Sequence, residues 1–378
     1  MINIHTILKK KTELLCKGVC LDETLKNHYK EQGIEIQGRK GGAGPLGGRY
    51  FLLEDNKTLV NVALWDTRKN TNLVLREKVG NSFKVYDARE KGHFCNLKLI
   101  DHPKFYDLKT TDGILMKKIA LVHGINCLAS TIYQKCKYWA CGESCKFCGI
   151  ELSLHDGSTI LEKNSTQMNE VIIAAKKENK CKHMTLTSGT TEDDDKGANK
   201  YIKLLKEIKE VHPKLPIHIQ IEPVEDLTYI NKLKEVGAST IGIHIEVMGD
   251  ILRKIITPGK AKIPYSLFED NWKHSIEVFG KNQVSTYILA GFGESRYDII
   301  ADVKKIISLG VIPYITPVRP LPDEASGNMP IMNYNALLEI YSNVAKQMKE
   351  FGVNPFENKA GCVRCGGCSA INEAYRAV

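Results

Sequence analysis

Between about residues 129 and 330, short runs rich in β-branched residues alternate with longer stretches of helical periodicity. This is the pattern of successive βα units around a parallel sheet. The spacing predicts strands over Ala129–Lys137, His183–Ser188, Ile217–Glu222, Thr240–Val247, Gln283–Ala290 and Ile312–Val318. Helices are predicted between them over Asn169–Glu178, Ala198–Val211, Leu227–Val236, Tyr265–Phe279 and Tyr297–Leu309. The expected fold is therefore α/β, an open, partial (βα)6 barrel of TIM type.

Within two of these strands the polar positions carry information of their own. Ile217, Ile219 and Ile221 alternate with His218, Gln220 and Glu222, and Ile241, Ile243 and Ile245 alternate with Gly242, His244 and Glu246. Successive side chains on a strand face opposite ways. Helices outside a parallel sheet cover its apolar side, so the polar set is expected to line the interior. A filled barrel packs branched apolar residues there; a polar interior predicts a ligand cavity. Surface strands of an α+β fold are the alternative.

The chain is read in three parts. Residues 1–115 form an N-terminal α+β capping lobe, 116–330 the partial barrel, and 331–378 a helix and a Cys-rich tail. The lobe begins with a helix through about Tyr29. A glycine-dense stretch, Gly38 to Arg49, lacks the GxxxxGK[ST] order of a phosphate loop and reads as a turn-rich connector. Arg49–Leu53 and Thr58–Leu64 then read as a β-hairpin that caps the barrel.

The first residues lack the apolar core of a signal peptide, and no stretch is long enough to span a membrane. The expectation is a cytoplasmic protein whose 12 cysteines are metal ligands or buried thiols, not disulfides. The 53 basic and 44 acidic residues give a formal charge of +9. They are scattered, which argues for a solvated surface and against a nucleic-acid stripe.

The most specific chemistry lies in Cys141, Cys145 and Cys148. Thiolates spaced C-x3-C-x2-C can hold three irons of a [4Fe-4S] cluster and leave one iron open, where four protein thiolates are the usual full set. Zinc is the alternative, but it usually wants a fourth protein ligand, and none follows Cys148 at such spacing. A second trio, Cys362, Cys365 and Cys368, has the spacing C-x2-C-x2-C among small residues. It is similar to ferredoxin-type ligation, with a zinc knuckle as the alternative. Its fourth ligand is open: Cys16, Cys20, Cys127, Cys136, a small molecule or none. Cys95 and Cys181 are expected in the core.

The first trio resembles the signature of the radical S-adenosylmethionine (radical SAM) superfamily. The resemblance implies a [4Fe-4S] cluster whose open iron is chelated by SAM, and a 5'-deoxyadenosyl radical that abstracts hydrogen from a C–H bond. It implies SAM contacts from Phe147 near the adenine and from Ser188, Gly189 and Thr190 at the end of the second strand. There the family's acidic residue is displaced to Glu192. It further implies Glu246 at the ribose and Leu289 and Gly291 of a GxIxGxxE-like element at the adenine. A low-potential donor such as ferredoxin or flavodoxin is the implied partner, and oxygen sensitivity follows.

The stretches RKGGAGP, FYDLKTTDG, CKFCGIELSLHDG, GIHIE and GCVRCGGCSA resemble, more narrowly, the biotin-synthase-related radical SAM proteins often encoded beside nitrilase-like enzymes. The expected activity is C–H activation of a small polar metabolite. Sulfur insertion fits if the tail holds an auxiliary iron-sulfur cluster. Arg319, at the end of the sixth strand, is the candidate for a substrate carboxylate. RNA modification and a non-catalytic electron carrier are the competing readings.

Overall fold

The computed structural model describes residues 2–31, 48–65, 68, 71–319 and 331–378. Positions 38–47 of the glycine-dense connector lie outside them.

The chain opens with the helix Ile4–Lys17, capped at its amino end by Asn3; the helix expected through about Tyr29 is broken at Gly18, where φ is 60°, by the strand Val19–Leu21, and a second helix follows over Glu23–Glu31. Six strands follow: β1 Val19–Leu21, β2 Gly48–Leu53, β3 Leu59–Trp65, β4 Leu73–Val79, β5 Ser82–Asp87 and β6 Gly92–Leu99. They close into a small barrel in the order β1-β3-β2-β6-β5-β4. The expected hairpin is present as β2 against β3, with Leu52 opposite Leu59, but it is one part of a barrel that the sequence reading did not foresee. The alternation of Phe83, Val85 and Asp87 inside with Ser82 and Lys84 outside is the signal that was available.

The second sheet has seven strands: β7 Leu121–His123, β8 Cys127–Thr131, β9 His183–Thr187, β10 Ile217–Ile221, β11 Thr240–Ile243, β12 Val284–Ala290 and β13 Ile312–Pro317. β8 to β13 pair in parallel and in sequence order. β7 adds an antiparallel edge beside β8. This is the half-barrel of the expected class, with one further strand.

Its helices bury apolar stripes against the sheet. Ser165–Lys177 turns Met168, Val171, Ile172 and Ala175 inward, the i, i+3, i+4, i+7 pattern of an amphipathic helix. It starts a turn earlier than expected because Asn164 and Gln167 form a capping box. Tyr265–Phe279 buries Phe268, Trp272 and Phe279, and the Trp272 indole donates to the carbonyl of Ile243 at 2.9 Å.

Two strands end sooner than the hydrophobic pattern suggested. β11 stops at Ile243 because the His244 ring takes the amide of Tyr287 at 3.1 Å, replacing a ladder bond. The pairing resumes only at Glu246, opposite Ile288, where Glu246 holds a φ of 66°. β8 stops at Thr131, six residues short of the expected Lys137. The loop beyond it is tied down by Gln134, whose side-chain amide donates to Ile150 O at 2.7 Å, and is followed by the short helix Lys137–Ala140.

After β13 the helix Tyr334–Glu350 leads into the tail helices Gly361–Cys365 and Ile371–Ala377. The tail closes the amino end of the half-barrel. The Gly361 amide donates to Nδ1 of His183, the first residue of β9, at 3.1 Å. A Cβ on Gly361 would fall 2.4 Å from the His218 ring. The packing therefore needs glycine there, where φ is 80°.

Candidate functional site

Most of the polar strand positions meet in one cavity of about 280 Å³ inside the half-barrel, but His218 does not line it: its ring is buried against Gly361 of the tail, with Nδ1 2.7 Å from Thr240 Oγ1. Gln220, Glu222, His244 and Glu246 line it as expected, together with Thr185, Tyr287 and Tyr314. Ile217, Ile219, Ile241 and Ile243 lie fully buried on the other face.

Cys145, Cys148 and Phe147 line the cavity at the carboxyl end of the strands. Cys141 is exposed and stands at the rim, in a separate, more open hollow beside Glu143, Glu192 and Lys262. Burial pushes the Cys148 thiol up to about 11, and burial together with the nearby Glu246 carboxylate raises that of Cys145. Among the described residues no three His, Cys, Asp or Glu side chains converge on the position of a single metal ion. A cubane cluster takes each thiolate on a different iron, so it needs ligands spread over a loop, as these are. The donor set, three cysteines in a loop that opens on the cavity, fits a cluster.

The residues implied for SAM fall around this loop. Ser188, Gly189, Thr190, Glu246 and Leu289 line the cavity. A Cβ on Gly189 would fall 1.9 Å from the carbonyl of Lys135, so only glycine lets the segment after β9 pack on the loop that precedes Cys141. Phe147 faces Phe292 at a centroid distance of 6.1 Å. Gly291, with φ of 124°, is a turn residue packed on Val318. Glu294 holds that turn by accepting from the amides of Gly291 and Phe292, each at 2.7 Å. Glu192 is exposed and lies outside the cavity.

Further residues, not singled out in the sequence, complete the site. Lys260 pairs with Glu246 at 2.8 Å, both side chains mostly buried. Tyr138 donates to Glu222 Oε1 at 2.6 Å. Glu222 Oε2 and His244 Nε2 are buried without a partner. Because His244 Nδ1 accepts from Tyr287, the neutral ring carries its proton on Nε2. Thr131 Oγ1, Thr185 Oγ1 and Trp139 Nε1, on residues that also line the cavity, are likewise buried without a partner, so the cavity offers several polar groups that a bound ligand would satisfy. Tyr138 has a weak sequence signal, three residues before Cys141. Lys260 has none, because its loop reaches the site only in the fold.

The tail trio reaches the same space from the opposite end. Cys362 and Cys368 line the cavity that Cys145 and Cys148 line. Burial pushes the Cys362 thiol up to about 12, with the Cys368 sulfur adding to it. Gln220 Nε2 lies 3.8 Å from Cys362 Sγ, and Tyr50 Oη 3.6 Å from Cys368 Sγ. Of the cysteines considered as a fourth ligand, Cys127 is buried and electrostatically coupled to Cys365 and Cys362. Cys136 lines the cavity and couples instead to Cys145 and Cys148. Cys16 neighbours Arg319, and Cys20 donates to Leu21 O within the small barrel. Cys95 and Cys181 are core residues, as expected.

Arg319 lines the cavity, but two of its guanidinium nitrogens are engaged by Asn61 of β3. Among the described residues no helix is long and apolar enough to cross a membrane.

Residues 139–306 match the sequence model of the Radical SAM superfamily. A curated relative, bacteriochlorophyllide c C-7(1)-hydroxylase of Chlorobaculum limnaeum, is 29% identical over 138 residues, 36% of this chain. The match spans about a third of that protein's length (34%). Among solved structures, methylornithine synthase shares 17% identity at a TM-score of 0.45, covering 60% of this chain and 63% of that one. The hydrogenase maturase HydG of Carboxydothermus hydrogenoformans shares 16% at a TM-score of 0.43, covering 61% and 53%.

Proposed function

We propose, from the match of residues 139–306 to the Radical SAM superfamily, a radical SAM enzyme that activates a C–H bond of a small polar molecule held between two iron-sulfur centres. The first centre is held by Cys141, Cys145 and Cys148, the second by Cys362, Cys365 and Cys368, and the reaction is sulfur insertion with the tail site as the sulfide source. The observation that carries this reading is the shared cavity, lined by Cys145 and Cys148 at one end and by Cys362 and Cys368 at the other. An electron-relay role would not need both thiol sets to face the same ligand space. When bound, the first cluster and SAM supply the hydrogen-abstracting radical.

The chain's own residues do the rest. Ser188, Gly189, Thr190 and the Glu246–Lys260 pair form the SAM side of the cavity, and Phe147 and Leu289 its apolar wall. Glu222 Oε2 takes an N–H donor, and His244 Nε2–H gives a hydrogen bond to a carbonyl or carboxylate of the ligand. A cavity of about 280 Å³ falls just below the usual ligand-site volumes of about 300–1,000 Å³, and so favours a small substrate over RNA. Electrons come from a low-potential carrier such as ferredoxin or flavodoxin in the cytoplasm.

Hydroxylation is the second reading, favoured by the Chlorobaculum relative. The two are separated by anaerobic reconstitution of the protein and of its Cys141/Cys145/Cys148→Ala variant, with iron and labile sulfide measured before and after turnover. Sulfur insertion expects about four irons in the variant and a loss of sulfide from the unmodified protein on turnover. An iron-free variant overturns the second centre; constant sulfide with an oxygenated product favours hydroxylation.

A further inference from the structure

We infer that the N-terminal barrel is the outer wall of the tail metal centre and that Tyr50 is the positioning residue for its Cys368 corner. This rests on the second centre proposed above. Three parts of the chain grip the loop Gly366–Cys368. The Asn61 amide donates to Gly367 O at 2.7 Å. Lys11, from the first helix, donates to Gly366 O at 2.7 Å and pairs with Glu373 at 2.7 Å, with 1% and 7% of the two side chains exposed. Tyr314 Oη accepts from the Cys368 amide at 3.2 Å.

The Tyr50 ring lies so close to the loop that a Cβ on Gly367 would fall 2.8 Å from it and 3.1 Å from Leu59. Only glycine permits this approach, and the approach puts the phenol 3.6 Å from Cys368 Sγ. A phenol proton donates to a thiolate, and donors to ligating sulfur raise a cluster's reduction potential by stabilising its more negative, reduced form. The cavity side supplies the donor to Cys362 through Gln220; the barrel side supplies the donor to Cys368. A lobe that merely capped the half-barrel would not need a hydroxyl at this sulfur.

The test uses full-length protein carrying Cys141/Cys145/Cys148→Ala, so that only the tail centre contributes to the signal. Tyr50→Phe in that background is expected to keep its iron and sulfide while the midpoint potential moves to more negative values and the reduced-state paramagnetic spectrum changes. Difluorotyrosine at position 50, a stronger donor of the same shape, is expected to move the potential the other way, and it decides the matter if Tyr50→Phe fails to load. An unchanged potential in loaded variants overturns the role of Tyr50 and leaves the second centre standing. An iron-free background with Tyr50 intact overturns both.

Discussion

Arg319 at the end of β13 and Asn61 in the middle of β3 hold each other across 258 residues of sequence. Nη1 donates to Asn61 Oδ1 at 2.6 Å, and Nη2 donates to the Asn61 carbonyl. Gly48 is wedged beside them, where a Cβ would fall 2.1 Å from Asn61 Oδ1 and 2.5 Å from Nη1. The fork that could clasp a carboxylate thus braces the small barrel against the half-barrel, with Cys368 as a near electrostatic neighbour.

Arg319→Lys is therefore expected to act on stability. An ammonium cannot span two acceptors as a guanidinium does, and losing buried hydrogen bonds of this kind costs about 1–3 kcal/mol. Urea denaturation should show a lower midpoint. An unchanged midpoint with a raised substrate KM would instead return Arg319 to binding a substrate carboxylate.

Glu222 offers a second test. Its Oε1 takes the Tyr138 proton at 2.6 Å while Oε2 is buried and unpartnered. Glu222→Gln keeps the volume but removes the charge and one acceptor, and is expected to weaken binding of the N–H-bearing ligand at least tenfold, about 1.4 kcal/mol. Equilibrium dialysis with SAM and the substrate KM together identify which ligand is affected. Both unchanged would show that this carboxylate serves the fold alone. Tyr138→Phe strips the carboxylate of its donor and should lower stability by about 1–3 kcal/mol.

The histidines under the tail predict acid sensitivity. Burial, with Arg364 and His218 nearby, lowers His183 to about 3, and burial lowers His218 to about 3. Unfolded histidine titrates near 6.5. As the pH falls, the unfolded chain takes up these protons first, so stability present above about pH 6.5 is lost as pH drops toward 3. At pH 5 the loss is about 2 kcal/mol per histidine. Urea midpoints at pH 7 and pH 5 measure it, and His218→Gln should flatten the slope. Equal slopes with and without His218 would contradict the assignment.

Much of the half-barrel was legible because its information is local. Alternation in Ile217–Ile221 marks a strand with one apolar face, and the 3.6-residue period of Ala198–Val211 and Tyr265–Phe279 fixed both helices to their ends. Strand ends were less legible. β11 is cut short by the bond between His244 and the Tyr287 amide, which joins two residues that only the fold brings together. The small barrel was missed apart from its hairpin, because β1 is three residues long and pairs with β3 and β4, distant in the chain.

The sequence by itself determined which donors are present: two closely spaced cysteine trios, and polar positions alternating with apolar ones along the strands of a half-barrel. Only the tertiary structure decided that two cysteines of each trio face one cavity, that Lys260 pairs with Glu246, and that Arg319 braces β3 through Asn61. Spacing along a loop is encoded in consecutive residues. The approach of Tyr50 to Cys368 or of Asn61 to Arg319 depends instead on how two separately formed sheets pack, which no local pattern specifies.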